Sequence, residues 1–126
     1  MLTGLPGSGK STFAKSFPSH RRVNLDTLKT RAKEEKEIQS AIQKGEDIIV
    51  DNTDVTVKSR KKYIDHAKKS GYVIKSVYVR CPVEVALERN AKRTNKVPGH
   101  VVKFYNRILE PPSAREGFDS CIVIDQ

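Results

Sequence analysis

Residues 4–11 read Gly4-Leu5-Pro6-Gly7-Ser8-Gly9-Lys10-Ser11 and match the pattern G-x-x-x-x-G-K-[ST] at every specified position. Glycines in this pattern let the backbone curl so that successive N–H groups point at nucleotide phosphates, while the lysine contacts the β- and γ-phosphates and the hydroxyl ligates Mg²⁺. The alternative is that Gly-Ser-Gly forms only a flexible turn. We expect the loop from Gly4 to Thr12 to bind ATP or GTP, with Mg²⁺ held at Ser11.

The loop forms a nucleotide site only when it joins a strand to a helix. Residues 12–15 suit a helix, whose positive dipole end would face the phosphates, and Pro18 ends it. Only Met1, Leu2 and Thr3 precede the loop, whereas a buried strand usually has about five or six residues. Either the first strand is very short or the natural chain begins earlier.

Strand-like and helical segments alternate along the rest of the chain. Strands are predicted at residues 22–25, 48–50, 72–79 and 121–124, which are rich in β-branched residues. Helices are predicted at 26–44, 56–70, 82–93 and near 101–108, with Thr56 as a cap and Gly71 as a stop. This alternation predicts an α/β fold, a parallel β-sheet flanked by helices on both faces. The length of 126 residues fits a single domain, 1–126.

Composition indicates the cellular compartment of the protein. The sequence has no signal-peptide pattern and no run of about 18 apolar residues, so we expect no membrane association. Cys81 and Cys121 form neither a metal-site nor a disulfide pattern, and each adjoins an apolar strand-like run. We therefore expect both to be reduced core residues of a cytoplasmic or nuclear protein.

Basic residues are in excess and unevenly distributed. There are 24 Lys and Arg against 15 Asp and Glu, a formal net charge of +9. Residues 89–109 contain six basic residues and no acid, and residues 58–69 contain six with one acid. Two one-sided basic segments beside a phosphate site predict a polyanionic second substrate. Two solvated helix faces are the alternative.

Two acids follow predicted strands, where functional side chains of a parallel sheet collect. Asp51 ends the apolar run Ile48-Ile49-Val50 and is expected to hold Mg²⁺, although a turn residue is the alternative. Asp26 follows the second strand and is the best-placed carboxylate to accept the proton of an attacking hydroxyl. It is equally well suited to cap the next helix.

Arg89 and Arg93 are four residues apart on a predicted helix and so share one of its faces. A pair of arginines that closes over a triphosphate would neutralise charge in the transition state. The alternative is an exposed polar face without a ligand.

Further segments extend the pattern over nearly the whole chain. They are Thr12-Phe13, Val23-Asn24-Leu25-Asp26-Thr27-Leu28, Ile49-Val50-Asp51-Asn52-Thr53, Ser59-Arg60 with Tyr63, Arg89-Asn90-Ala91-Lys92-Arg93, Phe104-Tyr105, Glu110-Pro111-Pro112 and Glu116-Gly117-Phe118. With the loop, they resemble the 5′-kinase domain of the polynucleotide kinases, those of a bacteriophage and of the eukaryotic kinase-phosphatases. The eukaryotic type is the more similar.

The resemblance implies a P-loop kinase with a helical lid at about residues 89–100, which transfers the γ-phosphate of ATP to the 5′-hydroxyl end of DNA or RNA in nucleic-acid repair. Asp26 would be the general base, and Lys10 and Arg93 would be the other catalytic residues. Arg89 and Arg93 would contact the donor phosphates, while Ser11 and Asp51 would bind Mg²⁺. The residues implied to contact the acceptor are Asp26, Lys29, Asn52 and Arg60.

Three departures from the family limit what is carried over, one of which is the short first strand. Lys29 stands where the phage enzyme has an arginine, and lysine keeps the charge without the bidentate fork. The phosphatase signature Asp-x-Asp-x-Thr does not occur, so a separate phosphatase or ligase is an expected partner. Two other functions stay open, a kinase of a nucleoside or sugar on the same scaffold and a non-catalytic module that binds nucleic-acid ends.

Overall fold

Five parallel strands form the centre of the computed structural model, which describes residues 1–126. The strands are β1 (Leu2–Thr3), β2 (Arg21–Val23), β3 (Ile48–Val50), β4 (Lys75–Arg80) and β5 (Ser120–Asp125). Strands β1, β4 and β5 form one ladder and β2 pairs with β3. A parallel bridge between Leu2 and Asp51 joins the two ladders, so the strand order is β2-β3-β1-β4-β5.

Helices follow or connect the strands. They are α1 (Lys10–Lys15), α2 (Leu25–Leu28), α3 (Arg31–Gln43), α4 (Val57–Lys69), α5 (Val83–Ala91) and α6 (Gly99–Ile108), with a 3₁₀ turn at Ala114–Glu116. The start of α4 shows why the chain folds there, because Thr56 and Ser59 cap each other's backbone N–H groups in a capping box. As predicted, Thr56 caps this helix and Gly71 lies just beyond its end.

Successive residues of β3 show that the sheet is covered on both faces. Ile49 packs with Ala14 of α1, whereas its neighbour Val50 packs with Ile38 of α3 and Tyr63 of α4. Adjacent strand residues point to opposite faces, so α1 lies on one face and α3 and α4 lie on the other. The predicted α/β fold, a parallel sheet flanked by helices on both faces, is confirmed.

The first strand is very short. Strand β1 contains two residues, Leu2 and Thr3, and both are completely buried. They pair with Val77 and Tyr78 of β4 on one side, and Leu2 bridges to Asp51 on the other. Two residues thus suffice to place the loop that follows them between β3 and β4.

The predicted helix at 26–44 is in fact two helices. Lys29 has a φ of 75°, a left-handed conformation that no helix can continue through. Thr30 then accepts a hydrogen bond from the Lys33 N–H and caps α3. The second strand ends at Val23 rather than at residue 25, because Asn24 caps the short helix α2.

Three smaller differences concern strand and helix ends and one cysteine. Strand β4 begins at Lys75 rather than at residue 72, and α5 ends at Ala91, short of the predicted Arg93. Cys81 is buried as expected, but Cys121 is exposed because it lies on the edge strand β5. None of the helices combines the length and the apolar character needed to cross a membrane.

Candidate active site

A cavity of about 810 Å³ opens where the carboxyl ends of the strands meet the P-loop. Most of the predicted site residues line it, namely Pro6, Gly7, Gly9, Lys10, Ser11, Thr12, Asp26, Asp51, Asn52, Arg89 and Arg93. Three more predicted loop residues, Gly4, Leu5 and Ser8, are buried beside it. Lys29 and Arg60 are outside the lining.

The loop is a curled backbone that needs its glycines. Gly7 and Gly9 have φ values of 85° and 103°, which L side chains rarely adopt. A Cβ at Gly7 would lie 2.4 Å from the Ala86 carbonyl oxygen, so α5 packs directly on the loop. The predicted strand–loop–helix context therefore exists, with β1 before the loop and α1 after it.

Lys10 is nine-tenths buried at the start of α1. Its Nζ donates a hydrogen bond of 2.9 Å to the Leu5 carbonyl oxygen. Burial lowers the pKa of Lys10 to about 8, although the negative charge of Asp51 acts to raise it. A buried ammonium with so depressed a pKa gains strongly from a nearby anion, and a phosphate bound in the loop would supply one.

One guanidinium holds the two predicted metal ligands together. Arg22 Nη2 lies 2.6 Å from Asp51 Oδ2 and donates a 3.2 Å hydrogen bond to Ser11 Oγ. Arg22 Nε also donates to Asp51 Oδ2, at 2.8 Å. A hydroxyl and a buried carboxylate thus converge on a single cation at the end of β3.

Asp26 is the second residue of α2 and does not cap it. Asn24 is the cap, because its Oδ1 accepts a hydrogen bond of 3.1 Å from the Thr27 N–H. The side chain of Asp26 is left exposed on the cavity wall. The alternative interpretation of Asp26 as a helix cap is therefore wrong.

Arg89 and Arg93 reach the cavity from different backbone settings. Arg89 lies in the last turn of α5, whereas Arg93 lies in the turn beyond it, so the two do not share a helix as predicted. Asn90 fixes this turn, since its Nδ2 donates to the Val97 carbonyl oxygen at 2.7 Å and its Oδ1 accepts from the Val97 N–H at 3.2 Å. Both arginines nonetheless line one cavity.

Arg60 is a structural residue. It is the largest fully buried side chain of the chain. Its Nε and Nη2 donate to both carboxylate oxygens of Glu116, at 2.8 and 3.0 Å, and its other bonds go to the carbonyl oxygens of Asp54 and Glu110. Each side-chain nitrogen of Arg60 is bonded to protein, so none is free to contact an acceptor substrate. The predicted contact between Arg60 and the acceptor is therefore wrong. Lys29 is exposed at the α2–α3 break.

Comparison with known proteins places this site in a family. A family model described as an AAA domain matches residues 1–112, which include the loop, β3 and both cavity arginines. The chain belongs to this family of P-loop proteins. The match and the parallel sheet together establish a P-loop kinase fold.

Individual relatives confirm the resemblance noted in the sequence. The chain is 32% identical over 126 residues to a bifunctional polynucleotide phosphatase/kinase of Schizosaccharomyces pombe. The matched region covers 94% of this chain and 31% of that relative. The chain is also 32% identical to a putative bifunctional polynucleotide phosphatase/kinase of Acanthamoeba polyphaga mimivirus, with the same two coverages. The chain thus spans about a third of the length of these two relatives.

A third relative is named for a different substrate. The chain is 27% identical to an L-seryl-tRNA(Sec) kinase of Methanococcus maripaludis over 94% of its own length and 55% of that relative. The relatives of this chain thus include kinases that are named for different substrates.

Four residues of this P-loop site were missed by sequence reasoning. Arg31 and Asp54 line the cavity, Arg22 holds the two predicted metal ligands, and Glu34 is a buried acid on α3. Asp54 Oδ2 is buried without a hydrogen-bond partner. Burial, and then the charge of Glu34, raises the pKa of Asp54 to about 7. Only Asp54, beside the Asp51-Asn52-Thr53 segment, had a signal in the sequence.

Proposed function

We propose that the chain is a kinase that transfers the γ-phosphate of ATP to the 5′-hydroxyl end of DNA or RNA. The observation that carries the proposal is the exposed carboxylate of Asp26 on the wall of the cavity that Lys10 and Ser11 also line. Transfer to a hydroxyl needs a carboxylate that accepts its proton and orients the attacking oxygen. The names of the two phosphatase/kinase relatives support a polynucleotide acceptor.

The P-loop would hold the donor. Backbone N–H groups of the loop after Pro6 and the Lys10 ammonium would contact the phosphates of ATP. Ser11 and Asp51 fit Mg²⁺, because kinases commonly bind this ion through one or two protein oxygen ligands plus substrate phosphates. Bound Mg²⁺ would neutralise charge on the β- and γ-phosphates. Arg22, which contacts both side chains, would have to release Asp51 and Ser11 before they could hold the ion.

The transfer step assigns a role to each remaining group. Asp26 would take the proton of the 5′-hydroxyl as the hydroxyl oxygen forms its bond to the γ-phosphorus. The bond between that phosphorus and the oxygen that bridges the β- and γ-phosphates would break, and ADP would leave. Arg89 and Arg93, on a lid at about residues 89–100, would stabilise the charge of the transferring group. Catalysis would come mainly from positioning and electrostatics.

The acceptor would enter along the wall formed by Asp26, Asn52 and Arg31. Arg31 supplies there the positive charge that the resemblance assigned to Lys29, because Arg31 lines the cavity and Lys29 does not. A guanidinium suits bidentate contact with an acceptor phosphate. The net charge of +9 also favours a polyanionic acceptor. Since the two phosphatase/kinase relatives are named as bifunctional, we infer that the chain acts beside a phosphatase or ligase. The absence of a disulfide pattern favours the cytoplasm or nucleus.

A kinase of another hydroxyl is the second candidate, favoured by the similarity to the seryl-tRNA kinase. Salt distinguishes an acceptor that carries a polynucleotide, as a seryl-tRNA also does, from a small neutral acceptor such as a nucleoside or sugar. Transfer to the 5′-hydroxyl of a plain oligonucleotide distinguishes the first candidate from a seryl-tRNA kinase. Each phosphate contact with a polynucleotide steepens the fall of affinity with salt, by about 0.7 log units per decade of salt for a single strand. A small neutral acceptor gives almost no slope.

The test of the proposal compares two Asp→Asn variants. Asp26→Asn keeps the size of the side chain but cannot accept the proton, so transfer to a 5′-hydroxyl oligonucleotide should fall by about 10²-fold or more while ATP binding is retained. Asp47→Asn removes a similarly exposed carboxylate before β3 and should leave transfer unchanged. Normal transfer by Asp26→Asn would show that Asp26 is not the general base.

A further inference from the structure

A buried carboxylate lies behind the acceptor side of the cavity. Glu34, on the first turn of α3, is 2% exposed. Its two oxygens accept hydrogen bonds from Tyr63 Oη at 2.9 and 3.0 Å, from Asn52 Nδ2 at 3.0 Å and from Arg31 Nη1 at 3.2 Å. Lys62 Nζ lies 3.3 Å from Glu34 Oε1. Two of these donors, Asn52 and Arg31, belong to residues that line the cavity.

Asn52 connects Glu34 to α2, the helix that carries Asp26. While its Nδ2 donates to Glu34, its Oδ1 accepts a hydrogen bond of 2.8 Å from the Leu25 N–H. Leu25 is the first residue of α2 and Asp26 is the second. This helix has only four residues, and a helix so short is not stable by itself. Its position therefore depends on such anchors.

The ionised state of Glu34 determines which way the Asn52 amide faces. Burial has the largest single effect and would raise the pKa of Glu34, but the hydrogen bonds from Tyr63, Asn52 and Arg31 and the charge of Lys62 together hold the pKa below its usual range. An ionised carboxylate only accepts hydrogen bonds, so the NH₂ group of Asn52 has to face it. The amide oxygen then points to the Leu25 N–H.

We propose that Glu34 is a positioning residue for phosphoryl transfer. By orienting the Asn52 amide it fixes α2, and with it the carboxylate of Asp26, and it also holds the Arg31 guanidinium at the cavity wall. This inference rests on the proposed function. It adds a residue that touches neither the nucleotide nor the acceptor but governs where the base lies. A purely structural acid would instead affect stability without affecting the transfer step.

Glu34→Gln tests the proposal, with Glu35→Gln on the exposed side of α3 as its matched control. Glutamine keeps the size but presents an NH₂ group to the same donors, so the Asn52 amide loses its fixed orientation. We expect kcat for the oligonucleotide to fall by about tenfold to a hundredfold, as a small displacement of a catalytic group would cause, with the Kd for ATP changed less than about twofold. Glu35→Gln should match the wild type in both.

Hydrogen–deuterium exchange supplies a second readout that does not depend on activity. In Glu34→Gln, the amides of Leu25 and Lys29, which donate to Asn52 Oδ1 and to the Leu25 carbonyl oxygen, should exchange faster, while those in the middle of α4 keep their protection. Wild-type kcat in the variant, or unchanged exchange at α2, would overturn the positioning role. If the wild type itself transfers no phosphate, the proposed function fails, and exchange at α2 still decides whether Glu34 anchors this helix.

A second variant covers the case in which Glu34→Gln does not fold. Asn52→Ala removes the amide that links Glu34 to Leu25, and it should show the same fall in kcat and the same loss of protection at α2. If Glu34 acts mainly through Asn52, with its bond to Arg31 as the smaller route, the double variant should lose less transfer than the product of the two single losses. Wild-type kcat in Asn52→Ala, or fully multiplicative losses in the double variant, would contradict the proposed route.

Discussion

Replacing Asp54 by Asn should stabilise the protein, and more so at higher pH. Asp54 is 6% exposed and its pKa is raised from 3.8 to about 7, mainly by burial and next by the charge of Glu34. The folded protein thus keeps a proton that the unfolded chain releases, so Asp54 opposes folding increasingly as pH rises from 3.8 to about 7. About three pH units at ~1.4 kcal/mol each give up to ~4 kcal/mol above that window.

Asparagine suits this position for two further reasons. It matches the protonated acid in size and charge, and it tolerates the φ of 38° that Asp54 adopts. Urea unfolding in the absence of nucleotide, near pH 5 and near pH 8, measures the effect. The gain in unfolding free energy should be about 3 kcal/mol larger at the higher pH, and Asp47→Asn should show no such dependence. A gain independent of pH, or a loss at both pH values, would refute this reasoning.

Two predictions concern the loop. Gly7→Ala should lower the melting temperature and weaken ATP binding at least about tenfold, since its Cβ would meet the Ala86 carbonyl oxygen at 2.4 Å. Gly71→Ala, with a similar φ and open space, should cost only about 1–2 kcal/mol and leave ATP affinity unchanged; equal effects would contradict the packing argument. Because the pKa of Lys10 is about 8 and bound phosphate raises it, ATP binding near pH 8 should take up protons. Calorimetry in two buffers of different ionisation enthalpy measures this uptake, and a heat that does not depend on the buffer would contradict it.

Local signals in the sequence account for the fold and the nucleotide side of the site. The loop pattern specifies a backbone shape by itself, and an apolar run such as Ile48-Ile49-Val50 specifies a buried strand with Asp51 at its end. The carboxyl ends of parallel strands meet at one edge of the sheet. Asp51 and Asp26 are therefore found in one cavity, as their positions after strands predicted.

The acceptor side depends on contacts between distant residues, which no local pattern reveals. Arg60 lies in a basic helical segment that is typical of a solvated or nucleic-acid-binding face, yet it is fully buried because Glu116, far along the chain, pairs with it. Glu34 belongs to a charged stretch but is buried against Tyr63 and Asn52. The break at Lys29 was equally hidden, since a lysine with positive φ has no sequence signal.

The most direct test of the central claim is transfer of the labelled γ-phosphate of ATP, with Mg²⁺, to an oligonucleotide with a 5′-hydroxyl end and to a matched one with a 5′-phosphate end. We expect label only on the hydroxyl-ended strand, and at least about a hundredfold slower labelling of that strand with the Asp26→Asn variant. Label on neither strand, from a preparation that binds ATP, would contradict the claim that the hydroxyl end of a polynucleotide is the acceptor.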